Sequence, residues 1–284
     1  IKVHAWINLL SIAHNKKANI IKKYGSKVLT LDQHGRTSLK GDQKDKLDKY
    51  YIRENQLFLE PGDRNVREYL TSIVKEIVTK YPKFAGIHLD YIRYPSVVPF
   101  IPGSRFSSHG ISYGYTKENL KNFKEQSGID IIKSPYSRDN YKKWDDWRRN
   151  NITKLVKKIS RAVKKINPDI EVSCTIVPSP ERTYLVTLQD WTKWLNEDFV
   201  DYVTVMNYTD DTKLFKLYGR SIIALAPKNK LHIGIGAYLL KDKPDILKQQ
   251  FNSLHELSPA GIVFFSYDDI VRDPSALKYH EKGS

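Results

Sequence analysis

Short apolar runs of six to eight residues recur six times along the chain, and most of them end in a cluster of polar or aromatic residues. They lie at 3–8, 85–90, 170–177, 200–206, 231–237 and 261–266, and each predicts a buried strand. Between them the spacing changes to that of a helix. Residues 64–80 place Val66, Leu70, Ile73, Val74 and Ile77 on one face, behind the turn Pro61-Gly62 and with Asp63 as N-cap. Residues 141–166 do the same with Trp144, Trp147, Ile152, Leu155, Val156, Ile159 and Val163, and shorter helices are predicted at 116–126, 191–195 and 244–257. The runs at 27–31 and 56–60 predict an excursion or hairpin. Residues 96–140, rich in Ser, Gly, Pro and Tyr, predict a long loop insertion after the second strand. Strands alternating with helices, joined by right-handed crossovers, predict one parallel α/β barrel of the TIM (β/α)8 type over 1–284. Six strands are evident where a closed barrel needs about eight.

Composition adds little to that picture. A 284-residue chain with 40% hydrophobic and 12% aromatic residues is a packed globular protein. Eighteen tyrosines and five tryptophans exceed the needs of a core, and such rings suit sugar stacking. The net charge of +15 favours polyanionic surroundings, but no DNA- or RNA-binding motif accompanies it, so no specific nucleic acid partner is expected. Many lysines, as at 154–158 and 164–165, punctuate helical faces, where the ordinary reading is a solvated surface. The single cysteine, Cys174, lies in an apolar strand, which excludes a disulfide framework and a cysteine-based metal site. No apolar run approaches the roughly 18 residues of a membrane span. The chain opens at Ile1, already inside a strand-like run, as a processed or truncated product would.

The chemistry concentrates in Gly86-Ile87-His88-Leu89-Asp90-Tyr91-Ile92-Arg93-Tyr94-Pro95. A buried strand delivers Asp90, Arg93 and two tyrosines at its C-terminal end, the edge where barrel enzymes hold their catalytic groups. The competing reading is a strand-end Asp that caps a segment or pairs with Arg93. So many polar groups in one stretch favour a site. His4, His88 and Asp90 together suggest a metal, yet they lack short-range ligand spacing, and no cofactor is expected.

With these stretches in view the chain resembles the glycosyl-hydrolase-like family 10 proteins, bacterial cell-envelope and secreted barrels. The likeness rests on His4-Ala5-Trp6-Ile7-Asn8, on Leu59-Glu60-Pro61-Gly62 with Val66-Arg67, and on the 86–95 stretch. It continues through Trp147-Arg148-Arg149-Asn150, Asp201-Tyr202, Met206-Asn207-Tyr208, and Gly261 with Phe264-Phe265-Ser266. The resemblance implies that His4–Asn8 is the third barrel strand, with the first two upstream of Ile1. It implies glycoside hydrolysis of a cell-envelope polysaccharide, the N-acetylated glycan of peptidoglycan, and an extracytoplasmic location (secreted, periplasmic or lipoprotein-anchored).

It also implies that Asp90 is the key catalytic residue. Glycoside hydrolysis uses two carboxyl groups. In related barrels the acid/base follows the sixth strand, which points to Asp210 or Asp211; Glu181, after the fifth, is the other candidate. The ordinary readings are a turn pair capping the segment at Thr212 for the two aspartates, and pairing with Arg182 for Glu181. Asp268 and Asp269 rank last, as helix caps. His4, Trp6, Asn8, His88, Arg93, Tyr94, Tyr208 and Tyr238 fall in or near strand ends and are expected to contact the sugar. The alternative function is a glycan-binding protein on a degenerate glycosidase barrel.

Overall fold

The computed structural model describes residues 1–44, 46, 49, 52–97, 111–134 and 137–272. By compactness the chain divides into two units, Ile1–Glu171 with Tyr184–Asp190, and Val172–Thr183 with Trp191–Ser284. Strand order in the parallel sheet is the chain order.

In the first unit β1 (His4–Asn8) pairs in parallel with β2 (Gly86–Asp90), His4 beside Gly86, Trp6 beside His88 and Asn8 beside Asp90. Side chains alternate across a strand, so these six residues share one face while Ile87 and Leu89 fill the other. The helices are α1 (Asn19–Tyr24), α2 (Arg64–Lys80), α3 (Lys117–Ser127) and α4 (Arg138–Ile166). Asp63 caps α2, accepting from the backbone N–H groups of Asn65 and Val66. The face that α2 buries is Val66, Leu70, Thr71, Val74 and Val78, with Ile73 and Ile77 half-buried beside it. α4 begins three residues earlier than its apolar spacing suggests, because Ser137 caps it through the Asn140 N–H. Its Trp144 is fully buried with Phe123, Tyr115 and Ile131, and Trp147 stacks on it at 5.3 Å. The runs at 27–31 and 56–60 meet antiparallel at Leu29 and Leu59. Of the expected 96–140 insertion, α3 forms where predicted, while 98–110 and 135–136 lie outside the described residues.

In the second unit, which takes β3 (Glu171–Ile176) from Val172 onward, β3, β4 (Tyr202–Val205), β5 (Leu231–Gly236) and β6 (Gly261–Phe265) pair in parallel and in order. The register gives one face Val203, Val205, Ile233 and Ile235, and the other Thr175, Thr204, His232 and Gly234. The helices are α5 (Pro180–Leu185), α6 (Trp191–Asn196), α7 (Thr212–Ile223), α8 (Pro244–Leu257) and α9 (Tyr267–Arg272). α7 is absent from the sequence expectation. Its interior Gly219 weakens the helical signal, but a Cβ there would lie 2.6 Å from a Leu257 methyl, so the glycine lets α7 and α8 approach closely.

Burial of phenols makes the fold sensitive to alkali. Burial, reinforced by Glu60, raises the Tyr94 hydroxyl well above its ordinary range. Burial, with Asp32 next, raises Tyr113, and burial pushes Tyr115 up to about 12. Unfolded tyrosines ionise near pH 10. These three therefore contribute stability that is complete below about pH 10 and is lost as pH rises toward the folded-state values. The denaturation midpoint is expected to fall steeply above about pH 10, with phenolate absorbance of three tyrosines appearing only on unfolding. Ionisation of all tyrosines in the folded protein would contradict it.

Candidate active site

Asp90 is the last residue of β2 and is 7% exposed. Each carboxylate oxygen meets a donor: the Trp6 indole N–H donates to Oδ2 at 3.1 Å and the Tyr91 backbone N–H to Oδ1 at 2.7 Å. Tyr91 adopts φ 50°, a left-handed conformation that costs a bulky residue of order 1–3 kcal/mol. It turns the chain sharply just past the carboxylate. Trp6 is 57% exposed, so one edge of its indole holds Asp90 while much of its ring faces outward.

The segment beyond Asp90 differs from the sequence expectation. Arg93 and Tyr94 were expected to reach a sugar, but both are buried and committed elsewhere. Arg93 pairs with Glu54 at 3.0 Å, donates to Ser96 Oγ, and lies 4.8 Å from the centre of the Tyr91 ring. Glu54 also accepts the Ser96 N–H at 2.8 Å. The Tyr94 hydroxyl donates to Glu60 at 2.6 Å, and the fully buried Glu60 accepts from Thr30 Oγ1 and the Gly62 N–H as well. These residues build the support under Asp90.

His4 shares the face of Asp90 but sits four residues away along the strand pair, about 13 Å at strand rise. There its Nε2 lies 3.5 Å from Glu171. His88 and Asn8 flank the Trp6–Asp90 pair, Asn8 exposed and His88 half-buried. Among the described residues no three metal-ligating side chains gather.

In the second unit three rings cluster after the strands. Tyr208 follows β4, Tyr238 follows β5, and Phe265 ends β6. Tyr208 stacks on Phe265 at 5.5 Å, and Tyr238 meets both edge-on at 6.1 and 6.2 Å. Tyr238 is 47% and Phe265 37% exposed. Phe265 escaped the sequence reading; the alternation along Gly261-Ile-Val-Phe-Phe, which sets it on the face opposite Phe264, was the available signal. Room for Tyr208 comes from Gly234, where a Cβ would lie 2.9 Å from the ring and from the Val205 carbonyl.

The carboxylates of this unit are unequally occupied. Asp211 caps α7 through the Leu214 N–H. Asp210 pairs with Lys243 at 2.6 Å, and that hydrogen bond, with one from its own backbone, holds its carboxyl below the usual range. Glu181 is exposed in the first turn of α5 and accepts from Ser179 Oγ at 3.1 Å. Asp269 accepts from the hydroxyl and N–H of Ser266.

The family model for glycosyl hydrolase-like 10 matches residues 1–221. The chain belongs to that family. It is 25% identical over 258 residues to glycosyl hydrolase DigH of Escherichia coli O6:H1, covering 84% of this chain and 51% of that one. It is 23% identical over 254 residues to glycosyl hydrolase YngK of Bacillus subtilis, covering 79% and 44%. The chain thus spans about half the length of the curated relatives it matches. In structure it is similar to the glycoside hydrolase domain of PgaB (BpsB) from Bordetella bronchiseptica, with a TM-score of 0.68 at 14% identity, covering 100% of this chain and 76% of that one. This family member therefore has the parallel strand-and-helix fold of barrel glycoside hydrolases, with six strands among the described residues. No helix among those residues is long and apolar enough to cross a membrane.

The glycine beneath Tyr208 gives a direct check on the ring cluster. Gly234→Val is expected to lose stability by about 1–3 kcal/mol, as overpacking does, and to weaken the aromatic near-ultraviolet circular dichroism. An unchanged spectrum and midpoint would mean that the stack does not depend on Gly234.

Proposed function

We propose that this family member is a glycoside hydrolase of a bacterial cell-envelope polysaccharide, the N-acetylated glycan strand of peptidoglycan, working outside the cytoplasm with Asp90 as its key carboxylate. The observation that carries the reading is the Trp6–Asp90 pair: an oriented carboxylate at a C-terminal strand edge beside an outward-facing indole of sugar size. Family membership supports the reaction class. The named relatives are glycosyl hydrolases, and the positive charge of the chain suits an anionic polymer.

Hydrolysis by two carboxyl groups needs one to protonate the leaving oxygen and one to attack the sugar or activate water. A proton donor must hold a proton near working pH. Lys243 keeps Asp210 from doing so, and Asp211 is engaged as a cap, so Glu181 is the candidate left for that role.

The test is release of reducing ends from purified peptidoglycan glycan strands. Asp90→Asn is expected to cut turnover at least about a hundredfold, the scale of a lost catalytic carboxylate. Retained turnover would remove Asp90 from the chemistry. Glycan binding without turnover in the unsubstituted chain would favour a binding protein instead.

Two further substitutions use the same assay. Trp6→Phe keeps a ring but loses the donor to Asp90, so kcat should fall more than KM changes, whereas Trp6→Ala should also raise KM. Glu181→Gln should lower kcat and abolish the alkaline limb of the pH profile, where a proton donor loses its proton. An unaltered profile would exclude it.

A further inference from the structure

Two adjacent arginines of α4, Arg148 and Arg149, are buried, and each grips a backbone carbonyl far away in sequence. Arg148 donates to the Ser112 hydroxyl at 2.8 Å and to the Tyr113 carbonyl. Arg149 donates twice to the Tyr184 carbonyl, from Nε at 3.2 Å and from Nη2 at 2.9 Å, while Nη1 donates to Asp146 at 2.6 Å. The Tyr184 carbonyl lies in the last turn of the six-residue α5, a position left without a partner inside the helix. The guanidinium held by these three bonds stands 3.6 Å from the centre of the Tyr184 ring. An arginine stacked so closely covers one face of the ring. Tyr184 is nonetheless 44% exposed, so its open surface is the other face and the ring edge. An exposed ring ordinarily loses rotamer freedom when a ligand binds. Tyr184 has lost it already, because one buried guanidinium holds both its ring and its own carbonyl. The segment is also tied to the Asp90 stretch. Tyr94, four residues past Asp90, donates its N–H at 3.1 Å to the carbonyl of Thr187, three residues past Tyr184. All of these residues belong to the first unit.

We propose that Tyr184 is a sugar-stacking platform, with Arg149 as its positioning residue, and that its open face takes the C–H face of a pyranose unit of the glycan. A flat apolar face with a polar tip matches a pyranose, which has an apolar C–H face and an edge of hydroxyls. Beside the ring stand Asp146 and Lys142, paired at 3.0 Å. Asp146 chiefly, and Tyr184 in lesser part, raise the Lys142 ammonium, which puts that cation within electrostatic reach of the Tyr184 hydroxyl. An acid and a base side by side suit hydroxyls, which both donate and accept, whereas a ligand of one charge would meet a partner of the wrong sign. The inference rests on a glycan being the ligand, and not on the chemistry assigned to Asp90 or Glu181.

The test measures binding of purified peptidoglycan glycan strands to the full chain carrying Asp90→Asn, so that cleavage does not consume the ligand. Adding Tyr184→Ala is expected to raise Kd about three- to tenfold, the scale of one lost stacking contact. Tyr184→Phe and Tyr184→Trp keep a ring and should hold Kd within about twofold. Arg149→Lys keeps the charge but not the planar fork. It should weaken binding about threefold while Tyr184 is present and not at all after Tyr184→Ala, since it acts through the ring. The control Tyr81→Ala removes an exposed ring between α2 and β2 and should leave Kd unchanged. Strands that do not bind, an unchanged Kd for Tyr184→Ala, or equal losses for Tyr184→Ala and Tyr184→Phe would each overturn the inference. Tyr184 is exposed and its variants fold, so that series decides by itself where Arg149→Lys does not fold. An unsubstituted chain that binds the strands in this pattern but never cleaves them would remove the catalytic reading and leave this one standing.

Discussion

Two carboxylates, the buried Glu60 and the half-buried Glu54, govern how the chain leaves β2. A carboxylate taken out of water is costly unless its oxygens accept hydrogen bonds. Glu60 meets this with the hydroxyls of Thr30 and Tyr94 and the Gly62 N–H, and Glu54 with Arg93 and the Ser96 N–H. Arg93, Tyr94 and Ser96 come from one stretch, so satisfying the acids fastens residues 93–96 to the excursion that contains 52–62. Asp90 lies immediately before that fastened segment, and the left-handed Tyr91 is the bend between the two. The orientation of the Asp90 carboxylate thus depends on two acids anchored elsewhere in the chain.

That dependence explains which parts of the molecule the sequence exposes. Periodicity is local, so strands and long helices are legible: α2 and α8 begin and end where their apolar spacing does. The Asp63 cap is equally local. Partners across the fold are not. Arg93 and Tyr94 stand next to Asp90 in a run that reads as a site, and nothing nearby in sequence reveals that Glu54 and Glu60, 39 and 34 residues upstream, draw them inward. His4 shows a second limit, since a period of two gives the face of a strand but not the end at which a residue matters. Phe265 shows a third, because a ring in an apolar run looks like core until its neighbours leave it half open. Gly219 shows that a residue poor for a helix can be chosen for the contact it permits.

The aromatic residues divide along the same line. Trp144, Phe123 and Tyr115 pack edge to face in the first unit and anchor α3 to α4. Trp6 and Tyr238 keep much of their rings accessible, and both stand within or just past a strand on the face where small and polar residues alternate. An abundance of tyrosine and tryptophan therefore says little by itself. What distinguishes an exposed ring from a packing ring is the position along or just past a strand that offers it to solvent.

The Trp6 hydrogen bond makes the site depend on strand register. It comes from β1, which among the described residues pairs with β2 alone and is half-buried or exposed throughout. A hydrogen bond from one strand to the last residue of its neighbour holds only while the two strands stay in register. A slip of one residue in the β1–β2 ladder would turn the indole to the opposite face and leave Asp90 where it is, so the register of a single strand pair carries the aim of the carboxylate.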